Sequence, residues 1–227
     1  MGHPKSGVTK EKLLTAACDV FVEKGFRDAT VAEICKRAEA NISAVNYYFN
    51  TKEALYKEAW RHSFAESIKA YPQDGGVSEN APPEERLRGQ VKALIERIAD
   101  ENNRDFFISQ MEFLNPTGLL DEVMKSAFIP LREKTLSVVR ELLGPQATEQ
   151  QVAFCETCII SMCFHPMLIQ RVRKRIKGQN APVIIDDLVA FAGHVMQFAL
   201  AGIAAIKNDP TSNGSTAQTA GALNPKS

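Results

Sequence analysis

Residues 41–52 bring together side chains that can hydrogen-bond a polyanion and its bases: Ser43, Asn46, Tyr47, Tyr48 and Lys52. Hydroxyls and amides reach phosphate oxygens or base edges, and a small residue such as Ala44 lets a backbone come close or touch a thymine methyl. A second candidate is Cys155-x-x-Cys158, with Cys163 and His165 nearby. Residues three apart share a helix face, so the two thiols have the spacing of a metal or redox pair. Structural zinc sites use a second such pair, which is missing, and Phe154, Ile159, Ile160 and Met162 around the thiols read as core. Buried cysteine behaves as a small hydrophobe, so no metal or cofactor is expected. Catalysis would need a nucleophile held against a base, or a metal triad. His3, His62, His165 and His194 are scattered, and no enzyme is expected.

The elements that must position the 41–52 cluster are helices. Leu13, Leu14, Ala17, Cys18, Phe21 and Val22 recur every three to four residues, forming one apolar stripe on a first helix that begins after Thr9. Gly25 ends it, because glycine accepts the left-handed conformation found past a helix end, and Phe26 folds back onto the last turn. Thr30-Val-Ala-Glu33 has the capping-box spacing, with the hydroxyl taking an early N–H and Glu33 reaching back to the cap. A short helix 31–38 follows. After Glu39-Ala40, Asn41 caps a third helix over 42–49 and Thr51 a fourth reaching about residue 71. Val45 and Phe49, four apart, pin the third helix to the core. Its other side carries Ser43, Ala44, Asn46, Tyr47 and Tyr48, and Lys52 places a cation beside the next helix N-terminus, a favourable seat for phosphate. A short helix, a turn and a second short helix make a helix-turn-helix, whose second helix enters the major groove.

The run Thr30-Val-Ala-Glu-Ile-Cys-Lys-Arg-Ala38, then Asn41-Ile-Ser-Ala-Val-Asn-Tyr-Tyr-Phe49, then Thr51-Lys-Glu-Ala-Leu-Tyr56 closely resembles the TetR/AcrR signature in its variant A-G-V-N-x-x-A-V-N-Y-H-F-x-x-K-E-x-L. Phe21-Val-Glu-Lys-Gly-Phe26 is similar to the ending of that family's first helix. The resemblance implies phosphate contacts by Thr30, Tyr48 and Lys52 and groove contacts by Ser43, Ala44, Asn46 and Tyr47. It also implies a homodimer on a palindromic double-stranded DNA operator, acting as a repressor that a small-molecule effector releases. Two positions depart from the family pattern: Glu39 stands where glycine is preferred in the turn, and Tyr48 where histidine is frequent. Glutamate costs something in a turn that favours positive φ, and its charge is unhelpful near phosphate; Tyr48 still donates through its hydroxyl.

Beyond the head, Pro72 to Pro83 breaks the periodicity and reads as a flexible connection. Helical patterning resumes through Leu87, Val91, Leu94, Ile95 and Ile98, a segment 106–113, a helix 131–143, and 148–164, which His165-Pro166 interrupts; 167–176 is a basic helical piece. The last helix, 184–206, is rich in Ala and Gly, which permit close helix–helix approach. With 148–164 it is expected to form a four-helix dimer interface. Phe106, Phe107, Met111, Phe128, Met162 and Phe164 supply aromatic and flexible groups for an apolar ligand pocket, with Phe113, Met124 and Met167 as further candidates. The stretch around Phe164-His-Pro166 looks similar to the CecR-like subgroup. The fold class expected is all-α: a helix-turn-helix head over residues 1–56, a helical-bundle ligand-sensing and dimerisation domain over 57–206, and a disordered tail over 207–227, poor in large apolar residues.

Composition bounds this reading. Lys plus Arg and Asp plus Glu both number 27, so the net charge is zero and attraction to nucleic acid must come from a local patch. Arg171, Arg173, Lys174, Arg175 and Lys177 form such a cluster, best read as a solvated helix end. An odd count of five cysteines in apolar surroundings speaks for reduced thiols and a cytoplasmic protein. No membrane span and no secretory signal is expected. A helical protein–protein adaptor would share the all-α pattern but would leave the Tyr47-Tyr48-Lys52 face unexplained.

Overall fold

The computed structural model describes residues 4–177 and 185–208, with side chains over 7–170 and 185–208. Among these residues all regular structure is helical: α1 (Pro4–Asp28), α2 (Val31–Arg37), α3 (Ile42–Phe49), α4 (Lys52–Ala70), α5 (Pro83–Ala99), α6 (Arg104–Leu114), α7 (Asp121–Leu143), α8 (Glu149–Lys177) and α9 (Leu188–Lys207). The chain forms two compact units, Met1–Gly76 with Lys92–Glu133, and Val77–Val91 with Lys134–Ser227. The dividing points fall inside α5 and α7, and the first unit runs well beyond residue 56. The tail beyond 208, the segment 178–184 and the side chains of the basic cluster at 171–177 lie outside the described residues.

In the first unit, α1 buries Leu13, Ala17, Cys18 and Phe21 against α4, whose Leu55, Tyr56, Ala59 and Trp60 are also fully enclosed. Gly25 does interrupt the geometry of α1, at φ 72°, although helical hydrogen bonding resumes to Asp28. The ring of Phe26 returns onto Phe21 and Tyr56, at centroid distances of 6.3 and 5.0 Å. Trp60 stacks on Phe64 at 5.0 Å and meets Phe128 edge-on at 5.7 Å. Burial of such rings contributes roughly 1.5–3 kcal/mol each.

Several polar groups inside this unit are paired, while Asp105 Oδ1 and Gln73 Oε1 are buried without a hydrogen-bond partner. Tyr56 donates to Glu112 at 2.9 Å, Trp60 Nε1 to Ser109 at 2.9 Å, and Arg97 to Ser67 at 2.7 Å and to Asp105 at 2.5 Å. The backbone N–H of Asp105 reaches Ser63 at 2.8 Å. Burial pushes the Asp105 carboxyl above the usual carboxylate range, with Arg97 opposing that shift.

In the second unit α8 packs on α9, burying Val152, Cys155, Ile159, Cys163 and Met167 on one helix and Val195, Met196, Ala199 and Ile203 on the other. Arg140 holds Glu149 through two bonds of 2.9 and 2.7 Å, and Lys207 donates to the Leu142 carbonyl at 3.3 Å.

Several boundaries differ from the sequence expectation. Helix α1 begins at Pro4 rather than after Thr9. Helix α7 begins at Asp121, ten residues before 131, and carries Pro130 inside it. Pro166 likewise does not interrupt α8. An interior proline costs about 3 kcal/mol in an isolated helix; here Val123 and Met124 before one proline, and Cys163 and Met167 around the other, are buried and hold both helices together. The 72–83 segment is built of turns, with Gly75 N–H on the Pro72 carbonyl at 2.9 Å and Ala81 on Ser78 at 3.0 Å. Finally, 149–170 and 188–207 are apolar and long enough to cross a membrane by length and composition, contrary to the expectation that no stretch is. About a third of each window is buried, chiefly where the two helices meet.

Candidate nucleic-acid interface

Three side-chain caps set the head. Thr30 Oγ1 accepts from the Glu33 N–H at 3.2 Å, Asn41 Oδ1 from Ala44 at 3.0 Å, and Thr51 Oγ1 from Ala54 at 3.1 Å. Each cap satisfies an otherwise orphaned donor and contributes about 1 kcal/mol. The reciprocal half of the expected capping box is not made: the Glu33 carboxylate turns to Lys24, 2.8 Å away, and ties α2 to α1. A second clamp joins the same helices, Arg37 gripping Glu23 through two bonds of 2.6 and 2.8 Å. That guanidinium holds the Glu23 carboxyl below its ordinary range.

The turn between α2 and α3 is left-handed at Glu39, φ 53°. This is the position where glycine would be free of strain, so the departure at Glu39 carries a conformational cost. The side chain is 84% exposed, with Lys12 at 3.9 Å. Asn50, at φ 67°, makes the matching bend after α3.

Helix α3 is seated by Val45 and Phe49, both buried. Around it, at about 100° per residue, the opposite face is centred on Ser43 and Tyr47, with Asn46 on one flank and Ala44 on the other. Tyr47 is 79% exposed, and Ser43 and Asn46 are exposed. Ala44 and Tyr48 are half-buried and pack on the head core instead of facing fully outward. Tyr47 and Tyr48 meet edge to face at 4.9 Å. The Ser43 hydroxyl donates to Asn41 Oδ1. Lys52 is half-buried, its ammonium 4.5 Å from the Phe26 ring centre and 3.4 Å from the Arg27 carbonyl, so packing fixes its position beside the start of α4. Thr30 is exposed at the start of α2.

Lys10 has no signal in the sequence that ties it to α3, because the two are more than thirty residues apart. Its ammonium lies 6.0 Å from the Phe49 ring centre, adding a cation next to α3. The six pocket candidates divide between the units: Phe106, Phe107, Met111 and Phe128 belong to the first, Met162 and Phe164 to the second. Two cavities of the first unit, of about 410 and 240 Å³, are lined by other residues, among them Lys12 and Glu39 in one and His62 and Tyr71 in the other. Cys155 and Cys163 are buried and Cys158 exposed; burial pushes the Cys163 thiol up to about 12.

A braced α2–turn–α3 pair with a polar, aromatic outward face is DNA-reading geometry. Comparison with known proteins decides the family. Residues 13–59 match bacterial regulatory proteins of the tetR family, and residues 83–203 match the C-terminal domain of the HTH-type transcriptional dual regulator CecR. The chain belongs to the TetR family. The HTH-type transcriptional dual regulator CecR of Shigella flexneri is 29% identical over 161 residues, 65% of this chain and 70% of that protein. Among solved structures, the fatty acid degradation regulator FadR from Bacillus halodurans superposes with a TM-score of 0.65 over 89% of this chain and 97% of its own, at 17% identity. A TetR-like regulator from Rhodococcus sp. RHA1 does so at 0.63, over 86% and 96%, also at 17% identity. Both share the all-α fold. This TetR-family member is therefore a transcriptional regulator with a DNA-binding helix-turn-helix, and not an enzyme.

Proposed function

We propose that the chain is a homodimeric repressor that grips a palindromic operator and releases it when a small molecule binds its helical body. The observation that carries this reading is the outward face of α3, where Ser43, Asn46 and Tyr47 are exposed on a helix anchored from behind by Val45 and Phe49. In this reading Ser43, Ala44, Asn46 and Tyr47 meet the major groove, while Thr30, Tyr48 and Lys52 hold phosphates on either side.

A second copy is called for by α8 and α9. Phe154, Val189 and Phe198 are 61, 71 and 66% exposed on helices that already share one buried seam, so a further apolar face stays in water. Pairing two copies there covers that face, and a two-fold dimer presents two α3 helices to half-sites about 34–36 Å apart or a multiple of that. Release follows from differential affinity: a ligand that prefers a state with badly placed heads shifts the population away from DNA. The bonds that join Tyr56, Trp60 and Ser63 of α4 with Glu112, Ser109 and Asp105 of α6, the last with the Asp105 N–H as donor, supply a mechanical link, since any shift of α6 is felt at the helix that follows α3. Phe106, Phe107, Met111 and Phe128 of the first unit are the proposed pocket groups, and the cytoplasm, where DNA is, the proposed location.

The test is a gel shift with the DNA flanking its own gene, together with selection from a random duplex library. Tyr47→Ala is expected to weaken binding roughly tenfold or more while leaving thermal unfolding within about 0.5 kcal/mol. Lys52→Ala should lower the salt dependence of binding by about one ion and, because its ammonium lies over Phe26, cost about 0.5–1 kcal/mol of stability. No shift and no enriched sequence would sink the proposal. A reporter assay on the selected site, with and without the regulator, reads repression directly; activation at that site would overturn the sign.

A further inference from the structure

We infer that α3 selects A·T base pairs and carries no group that singles out guanine. The inference rests on the groove contacts of Ser43, Asn46 and Tyr47 proposed above, and goes on to name the bases they accept. Helix α3, Ile-Ser-Ala-Val-Asn-Tyr-Tyr-Phe, contains no Arg, Lys, Asp or Glu. In the major groove guanine shows two acceptors, O6 and N7, and its commonest partner is a bidentate Arg or Lys; cytosine shows the N4 donor, taken by Asp or Glu. Neither partner is present on this helix. Asn46 is exposed and carries an adjacent donor and acceptor, the pattern that fits adenine N6 and N7.

Ser43 narrows the choice further. Its hydroxyl hydrogen is committed to Asn41 Oδ1, which also caps the helix by accepting the Ala44 N–H at 3.0 Å. What Ser43 offers outward is lone pairs, which cannot meet guanine acceptors and accept from adenine N6 or cytosine N4 alike. The remaining outward surface is apolar: Ile42 is 53% exposed, Ala44 lies on the flank, and the Tyr47 ring stands edge-on to Tyr48 at an interplanar angle of 80°. The apolar group that a base edge presents in the major groove is the thymine methyl. The lone phenol donor of Tyr47 meets adenine N7, guanine O6 or N7 and thymine O4 alike, so it adds affinity without choosing among them.

The experiment uses the full-length protein and the duplex enriched from a random library. Single replacements of thymine by uracil, adenine by 7-deazaadenine and guanine by 7-deazaguanine are then compared in a binding titration. Within each half-site, loss of one thymine methyl is expected to weaken binding about fourfold, and loss of one adenine N7 about fivefold, with loss of a guanine N7 costing less than either. Tyr47→Ala should abolish the uracil effect and Asn46→Ala the 7-deazaadenine effect. Asn46→Asp, which keeps the size and removes the donor, should move the preferred base at that position from adenine to cytosine, and thermal unfolding of each variant checks the fold. Binding that is indifferent to uracil and 7-deazaadenine but weakened by 7-deazaguanine in the half-site overturns this inference and leaves the regulator reading intact. A protein that enriches no sequence at all overturns both.

Discussion

The cluster around Trp60, in the unit that holds the head, buries polar and aromatic groups in matched pairs, whereas α8 and α9 leave large apolar groups uncovered. Trp60 is enclosed between Phe64 and Phe128 with its indole N–H satisfied by Ser109; Phe198 stands 66% exposed on a helix without one charged residue before Lys207. The first arrangement is complete within one chain, because the Trp60 ring and its N–H both have partners there. The second is complete only when something apolar covers it, and large exposed apolar patches mark interaction sites. Stability and the proposed self-association thus fall to different parts of the same all-helical fold.

Substitutions can break that contrast in decreasing order of effect. Trp60→Ala should cost about 3–5 kcal/mol, read as a fall in the urea midpoint, since it empties the centre of the ring cluster. Phe198→Asp should leave helicity unchanged but weaken self-association by about 2 kcal/mol or more, read by sedimentation across a concentration series. The same change at Leu114, 85% exposed in the other unit, should leave the association state alone; if it also dissociates the protein, the contrast between the units is wrong. Tyr56→Phe removes one bond to Glu112, which keeps the Thr117 N–H and hydroxyl at 3.0 and 2.7 Å, so about 1 kcal/mol is expected. The smallest effect belongs to the turn: Glu39→Gly relieves the left-handed strain and gives up an exposed ion pair with Lys12, a net gain of up to about 1 kcal/mol in thermal unfolding.

Legibility of the sequence followed the range of the interaction. Thr30, Asn41 and Thr51 were readable as caps because a cap is a contact over three residues. The Val45–Phe49 seat was readable because four residues make one turn. Glu33 escaped, since its partner Lys24 sits on another helix and the competition between cap and ion pair is settled in space. The start of α7 and the passage of α8 through Pro166 escaped for the same reason: local propensity argues for a break, and packing around the proline outweighs it. The apolar length of α9 rests on its lack of charge before Lys207, which its many small residues mask in the sequence.

The amino-acid sequence alone determined the all-α class, the capped helix-turn-helix and its candidate reading face, because these rest on periodicity and on contacts within a turn or two of helix. Only the tertiary structure decided that Ala44 and Tyr48 lean into the core while Tyr47 stands free, that Glu39 adopts a left-handed turn, that Lys52 rests on Phe26, and that α6 is bonded to α4 through buried polar pairs. Those outcomes depend on which surfaces meet across the fold, where burial energy gained by distant residues outweighs the preferences of any single segment.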